Sequence, residues 1–159
     1  METGAELRFE HGEHTPALLR KQLSRLTSMT AAQMTRVSRA TLRTVGARKD
    51  HFVVLAALAE FGPASQAALS ERTDIFTSDL VAVLNDLTRG GWARRDPDPA
   101  DRRRNIITIT DLGDARLAEL DRLLDGVNEQ IMAPLDQNER AQLFRLLGRV
   151  NTHLASTAE

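Results

Sequence analysis

The sequence predicts a mainly α-helical fold carrying one small β-hairpin. Three observations lead there. Apolar residues recur at helical spacing through most of the chain, in segments separated by Gly and Pro. Near the middle, two helical patterns are joined by three or four residues, the arrangement of a helix-turn-helix. Directly after them, residues 89–113 (RGGWARRDPDPADRRRNIITITDLG) read as a hairpin. Pro97 and Pro99 punctuate its turn, Ile107 and Ile109 alternate with Thr108 and Thr110 at the period of a half-buried strand, and Trp92 begins the opposite strand.

The elements follow in order. Thr15 reads as an N-cap with Pro16 at the first helical position. Leu19, Leu23, Leu26, Met34, Val37, Leu42 and Val45 then predict one long helix over 16–45, stopped at Gly46. A helix of that length exceeds what a small core requires and suits an element that spans a dimer. The next helix covers about 49–61, is apolar around most of its circumference, and ends at Gly62-Pro63. Ser65 caps a helix over 66–72; Asp74 sits at a tight, left-handed turn; and a second helix over 76–89 buries Leu80, Val83, Leu84 and Leu87 before Gly90-Gly91. After the hairpin, a helix over 111–132 carries Leu112, Ala115, Leu120, Leu123, Leu124, Val127 and Ile131, and Pro134 breaks it. Asp136 and Glu139 form a capping box for the last helix, 137–156, with Leu143, Phe144, Leu146, Leu147, Val150 and Leu154. These terminal helices present more apolar surface than they can cover for each other.

The chain has 159 residues and a net charge of −1, which fits one folded domain. No run of 18 apolar residues marks a membrane span. The first fourteen residues, METGAELRFEHGEH, hold four glutamates and no apolar block, so they do not read as a secretory signal, and the cytoplasm is the expected compartment. There is no cysteine, which removes thiolate catalysis, thiol redox sensing, disulfides and Cys-type zinc sites. No glycine-rich phosphate loop, nucleophile elbow or HExxH appears, so no enzyme class and no cofactor is expected. His11 and His14 with Glu10 and Glu13 have ligand-like spacing, but nothing nearby fixes a geometry. Residues 1–14 read as a mobile acidic tail, with no metal site expected.

Charge is unevenly distributed. Arg36, Arg39, Arg43, Arg48 and Lys49 lie in a stretch without acids, and Arg89, Arg94, Arg95, Arg102, Arg103 and Arg104 stand against Asp96, Asp98 and Asp101. Such runs are either ordinary solvated faces or the footprint of a nucleic acid. A basic hairpin beside a helix pair fits double-stranded DNA, with a helix in the major groove and the hairpin along the backbone or in the minor groove.

With these residues in place the chain resembles the MarR family of winged helix-turn-helix regulators. Asp101, Arg102 and Arg103 match the Asp-x-Arg motif of the wing. Ile109-Thr110 and Gly113 match the Leu-Thr and following glycine, with Ile for Leu. The resemblance implies a single domain over 15–159. Residues 48–111 would form the winged helix-turn-helix, and 15–47 and 112–159 would supply dimerisation helices from both termini. It further implies an obligate homodimer that binds a palindromic operator as a repressor. A small aromatic or anionic effector would sit between the dimerisation helices and the DNA-binding lobe.

The residues expected at DNA are Ser65, Gln66, Thr77, Ser78, Asp79, Asn85, Arg94, Arg95, Arg102, Arg103 and Arg104. Arg103 reads a groove or pairs with Asp101 to stiffen the wing, or both. Thr77 and Ala82 stand where family members often carry arginine, and Asp79 and Asp86 add negative charge to the same helix. That keeps open a winged-helix adaptor that binds proteins rather than DNA. Met34, Val37, Ser38, His51 and Val54 are the candidate effector-lining residues, with His51 alternatively a satisfied core histidine. Trp92 is expected in the core rather than as a base-stacking platform.

Overall fold

A computed structural model of the chain describes residues 15–157. The reading of Glu10, His11, Glu13 and His14 lies outside the described residues. The elements are α1 (Ala17–Arg20), α2 (Leu23–Arg43), α3 (Lys49–Phe61), β1 (Ala64–Ser65), α4 (Gln66–Thr73), α5 (Thr77–Arg89), β2 (Ala93–Pro97), β3 (Asn105–Ile109), α6 (Asp111–Ile131) and α7 (Gln137–Ser156). The fold is mainly helical with one small antiparallel sheet, as the sequence predicts.

Two expectations are corrected. The single helix over 16–45 is broken: α1 is one turn, Gln22 is extended at φ −86° and ψ 104°, and α2 starts at Leu23. Pro16 is the N-cap rather than the first helical residue, and no side chain caps α1. Periodicity could not reveal the break, because Leu18 is 78% exposed and α1 buries nothing. Without tertiary packing one turn of helix has little to hold it in register with the next. The second correction is the sheet. It has three strands in the order β1-β3-β2, because Ala64 and Ser65 pair with Ile107 and Ile106. Two residues carry no alternation for a sequence pattern to detect.

Helix ends fall where the chain chemistry puts them. Gly46 and Gly91, at φ 65° and 72°, accept the left-handed turn that closes α2 and α5. In each case the residue after the glycine donates back into the last helical turn, Ala47 to the Leu42 carbonyl and Trp92 to that of Leu87. Asp74, at φ 54°, makes the turn between α4 and α5. The Asp136–Glu139 capping box is formed reciprocally at 2.9 Å in both directions.

The core gathers one or more side chains from nearly every element of the central lobe: Leu42 from α2, Val54 and Leu55 from α3, Leu69 from α4, Leu80, Val83, Leu84 and Leu87 from α5, Ile107 from β3 and Leu120 from α6. Each such side chain contributes about 1.5–3 kcal/mol on burial. The ends of the chain behave differently. Helix α7 buries no residue over 20 positions, and Phe144, Leu147 and Leu154 are 65%, 48% and 59% exposed. Leu112, counted on the apolar stripe of its helix, is 65% exposed beside Gly91.

Gly113, in the first turn of α6, is fixed by contact rather than by dihedral angle. A Cβ built there would lie 2.0 Å from the Trp92 carbonyl oxygen and 2.6 Å from Ile109 Cγ1. The carbonyl is backbone and cannot rotate away. Gly113→Ala should therefore cost about 3 kcal/mol, the upper end of ordinary overpacking, read by urea denaturation. Gly126→Ala, on the same helix with nothing within 4 Å of the added Cβ, should be neutral or slightly stabilising.

Candidate nucleic-acid interface

The helix-turn-helix is held from inside. The Ser65 hydroxyl accepts from the Ala68 amide at 3.3 Å and so caps α4. Ser70 donates to the Ile75 carbonyl at 2.6 Å, and Thr77 Oγ1 lies 3.3 Å from Ser70 Oγ. Gln66 reaches the Thr77 carbonyl at 3.4 Å. The Thr77 hydroxyl thus serves the turn, although the residue is exposed. On α5 the buried stripe Leu80, Val83, Leu84 and Leu87 fixes the helix rotation. At 3.6 residues per turn the opposite face carries Ser78, Ala82, Asn85 and Arg89, all exposed.

The wing is built by β2 and β3, paired from Ala93↔Ile109 to Pro97↔Asn105. Strand alternation turns Arg94 and Asp96 to one face, where they pair at 3.1 Å. It turns Arg95 to the other, where the guanidinium donates to Asn85 Oδ1 on α5 at 2.9 Å. At the tip, Asp98 Oδ1 accepts from the Ala100 amide at 2.8 Å and Asp101 Oδ1 from the Arg103 amide at 3.1 Å. These local turns shape the loop. Asp101 also lies 3.3 Å from Arg103 Nε, while the Arg103 side chain stays 92% exposed. Ser65, Gln66, Arg95, Arg103, Arg104, Asn105 and Ile107 line one groove of about 280 Å³ between the start of α4 and the wing. The structure thus brings five of the expected DNA residues to one recess, with Ser78, Asp79 and Asn85 exposed on α5. Arg94 and Arg102 are exposed elsewhere on the wing.

Residues 47–104 match the model of the MarR family. Over that segment the chain is similar to the family. It is 31% identical over 99 residues to the HTH-type transcriptional repressor NicR of Pseudomonas putida, a match covering 62% of this chain and 63% of NicR, so the chain spans less than two thirds of that relative's length. In fold it is similar to BpsR of Bordetella bronchiseptica, whose DNA binding is regulated by 6-hydroxynicotinic acid, with a TM-score of 0.74 and 23% identity over 86% of this chain and 98% of that one. It is likewise similar to a mutant MarR of E. coli complexed with operator DNA, with a TM-score of 0.69 and 24% identity over 80% and 92% of the two chains. The relatives are transcriptional regulators, not enzymes.

The MarR-type threonine and glycine after the wing have a structural explanation here. Thr110 Oγ1 donates to the Gly91 carbonyl at 2.6 Å and accepts from the Gly113 amide at 3.1 Å. One hydroxyl therefore closes the end of α5 and caps the start of α6. Trp92, half-buried beside it, carries the Arg116 guanidinium 4.6 Å above its ring. Arg116 in turn bonds Glu119 and the Val45 carbonyl at the end of α2. Trp92 is thus a packing residue. Arg116 was not singled out from the sequence. Its only signal was a charged residue on a partly buried helix face.

Asp86 does not present its charge to solvent as the sequence implied. Arg48 donates to its Oδ2, Arg89 to its Oδ1 at 3.2 Å, and His51 Nε2 lies 3.3 Å from Oδ2. Burial pushes the Asp86 carboxyl up, but the His51 hydrogen bond and the charges of Arg48 and Arg89 outweigh it and hold it below its ordinary value. His51 is 4% exposed at the first turn of α3. The Arg48 amide donates to its Nδ1 at 3.3 Å, so the ring proton belongs on Nε2, facing Asp86.

Of the five residues expected to line an effector cavity, the structure brings two to one groove. A groove of about 700 Å³ between α2 and the start of α3 is lined by Met34 and Ser38, with Thr35, Leu42 and Ala47, the cations Arg39, Arg43, Arg48 and Lys49, and the acid Asp50 around them. Val37 is not among its lining residues; Val54 is fully buried in the core, and His51 faces the other way, towards Asp86 and Trp92. Helical periodicity gave the face of each helix but not how the two helices lie against each other.

Burial lowers the His51 pKa from its ordinary 6.5; the Asp86 hydrogen bond opposes this, and the charges of Arg48 and Arg116 add to it. The folded protein then binds fewer protons than the unfolded chain once pH falls below 6.5. Stability contributed by neutral His51 is complete above that pH and is lost as pH falls towards the folded value. Asp86 adds its own loss only at lower pH, as pH falls from 3.8 through its lowered value. Urea denaturation at pH 7.5 and 5.5 should show wild type losing stability and His51→Gln losing less. Equal losses would remove His51 as the source.

Proposed function

We propose that the protein is a homodimeric, sequence-specific DNA-binding repressor whose DNA affinity is set by a small anionic ligand. The observation that carries the DNA-binding reading is the juxtaposition of the α4 start, the outward face of α5 and the arginines of the wing on one side of the lobe. In this reading α5 enters the major groove. The wing follows the backbone into the adjacent minor groove, where Arg103, oriented by Asp101, meets phosphate or the narrow groove. Ser65 and Gln66 present the α4 N-terminus to a phosphate. With Asp86 neutralised by Arg48 and Arg89, the charge argument for a protein-binding adaptor weakens.

The dimer reading rests on α1, the start of α2 and α7. Leu18, Leu23, Leu26, Phe144, Val150 and Leu154 are 46–78% exposed. Obligate dimers of this kind bury above about 2,000 Å² in total. Sedimentation should give a dimer at micromolar concentration, and a stable monomer would sink the proposal. Two lobes related by a two-fold axis bind a near-palindrome with half-sites about 10–11 base pairs apart.

The ligand reading rests on the groove between α2 and α3. Its lining is mainly apolar in area and sets four cations, Arg39, Arg43, Arg48 and Lys49, against one acid, Asp50, which suits an aromatic body with a carboxylate. BpsR, similar in fold, responds to a compound of that chemistry. Arg48 belongs both to this groove and to Asp86 on α5, so a carboxylate that captures Arg48 withdraws a support from the DNA-contacting helix. A coupling of about 1–3 kcal/mol makes a useful switch. The effector should be found by screening aromatic carboxylic acids by thermal shift and then by release from DNA. If every acid that binds leaves DNA affinity unchanged, the ligand-gated part is wrong.

Arg103→Ala should weaken operator binding about five- to hundredfold and reduce the salt slope by about one, with the dimer intact. Arg145→Ala, exposed on α7, should change neither. Asp101→Ala should act in the same direction as Arg103→Ala if Asp101 orients the arginine; tighter binding would mean that Asp101 only repels phosphate.

A further inference from the structure

From Thr77 to Thr88 helix α5 holds no lysine or arginine, and Arg89, in its last turn, pairs with Asp86. The commonest specific base contact is an arginine or lysine on guanine. A guanidinium nevertheless lies against the helix, and it comes from the wing. Arg95 stands opposite Ile107 in the β2–β3 pairing. Residues directly opposite each other share a face of the sheet, and Ile107 is buried in the core, so Arg95 projects to the side on which the helices pack. There it donates to Asn85 Oδ1 at 2.9 Å, and Asn85 belongs to the exposed face of α5. Arg94 and Arg103 each meet an aspartate. Among the described residues no carboxylate pairs with Arg95, so its charge stays uncompensated.

The hydrogen bond fixes which groups the pair has to offer. A guanidinium has N–H donors and no acceptor, so the oxygen of the Asn85 amide must be the atom turned to Arg95. Asparagine reads adenine by a bidentate contact in which its oxygen accepts from the base amine. Here that oxygen already accepts from a cation. What the pair has left is the Asn85 amide NH2 and the remaining N–H groups of Arg95, donors in every case. In the major groove guanine shows two acceptors, adenine and cytosine each show an amine donor, and thymine shows one acceptor beside a methyl. We propose that Asn85 and Arg95 form a composite donor head, half on α5 and half on the wing, that selects one guanine in each half-site. The proposal rests on the DNA-binding reading and adds which base is read and by which residues. Ser78, Asp79 and Arg89 are also exposed on α5 and are left to other positions of the site.

The test changes one base and one partner at a time. Duplexes selected by the full-length protein from a randomised library should share a guanine at one position of each half-site. Exchanging that G·C pair for A·T should weaken binding about five- to hundredfold. 7-Deazaguanine, which replaces the N7 acceptor with C–H, should weaken it about tenfold, whereas inosine, which keeps both major-groove acceptors, should bind like guanine. Arg95→Ala frees Asn85 Oδ1 and should shift the preferred base at that position towards adenine. Asn85→Ala should flatten the preference for guanine. Half-sites without a fixed guanine, or with one insensitive to 7-deazaguanine, overturn the proposal and leave DNA binding standing. A guanine preference unchanged in either variant also overturns it, because the two residues then do not act as a unit. If Arg95→Ala in that case weakens every duplex by the same factor and lowers the salt slope, Arg95 holds a phosphate instead. Failure to prefer any selected duplex over an unrelated one overturns the DNA-binding reading and this proposal together.

Discussion

The contact between Gly113 and the Trp92 carbonyl sets the geometry on which the rest of the lobe depends. It brings the first turn of α6 onto the strand that leaves α5, close enough that no side chain fits between them. Thr110 then bonds both partners, holding the Gly91 carbonyl and the Gly113 amide with one hydroxyl. Within 23 residues of chain the end of α5, both strands of the wing and the start of α6 are pinned to one another. The wing arginines can therefore lie at a fixed distance from the outward face of α5, and Arg95 can bridge the two through Asn85. The long helix α6 leaves this knot rigidly, so its direction relative to the helix-turn-helix is decided at the same point.

Electrostatics in the lobe are organised by pairing rather than by net charge. Several acids of α5 and the wing have a local use: Asp86 gathers Arg48, His51 and Arg89, Asp96 meets Arg94, and Asp101 shapes the loop that presents Arg103. The consequence is a helix α5 whose exposed charges are Asp79 and Arg89 alone, beside a wing that exposes several arginines.

Arg48 is the residue through which two surfaces communicate. It ends the turn after α2, lines the groove against α2 and holds Asp86 on α5. Its backbone amide also caps α3 through His51. Any event that repositions it, whether a bound carboxylate or protonation of the neighbouring imidazole, acts on α3 and α5 at once. Buried neutral His51 satisfies both of its ring nitrogens only in one tautomer, which makes this corner sensitive to charge.

Local chemistry determined most of the elements. The 49–61 helix, the Ser65 cap, the left-handed Asp74, the Gly91 stop and the Asp136–Glu139 box are each set by residues within a few positions, so the sequence alone was sufficient for them. The buried stripe of α5 was legible for the same reason, since one helix period selects one face, and with it the exposed positions Ser78, Asp79 and Asn85. Tertiary structure decided what periodicity cannot encode. The break at Gln22 and the strand at Ala64–Ser65 depend on what neighbouring elements offer for burial and pairing. Val37, His51 and Val54 lie away from the groove that Met34 and Ser38 line, because the angle between α2 and α3 is fixed by packing across the whole core. The Arg48 and His51 contacts to Asp86 and the Arg116 bond to the Val45 carbonyl join residues 35 or more positions apart. Such contacts exist only once the chain has closed its loops, and no short-range pattern carries them.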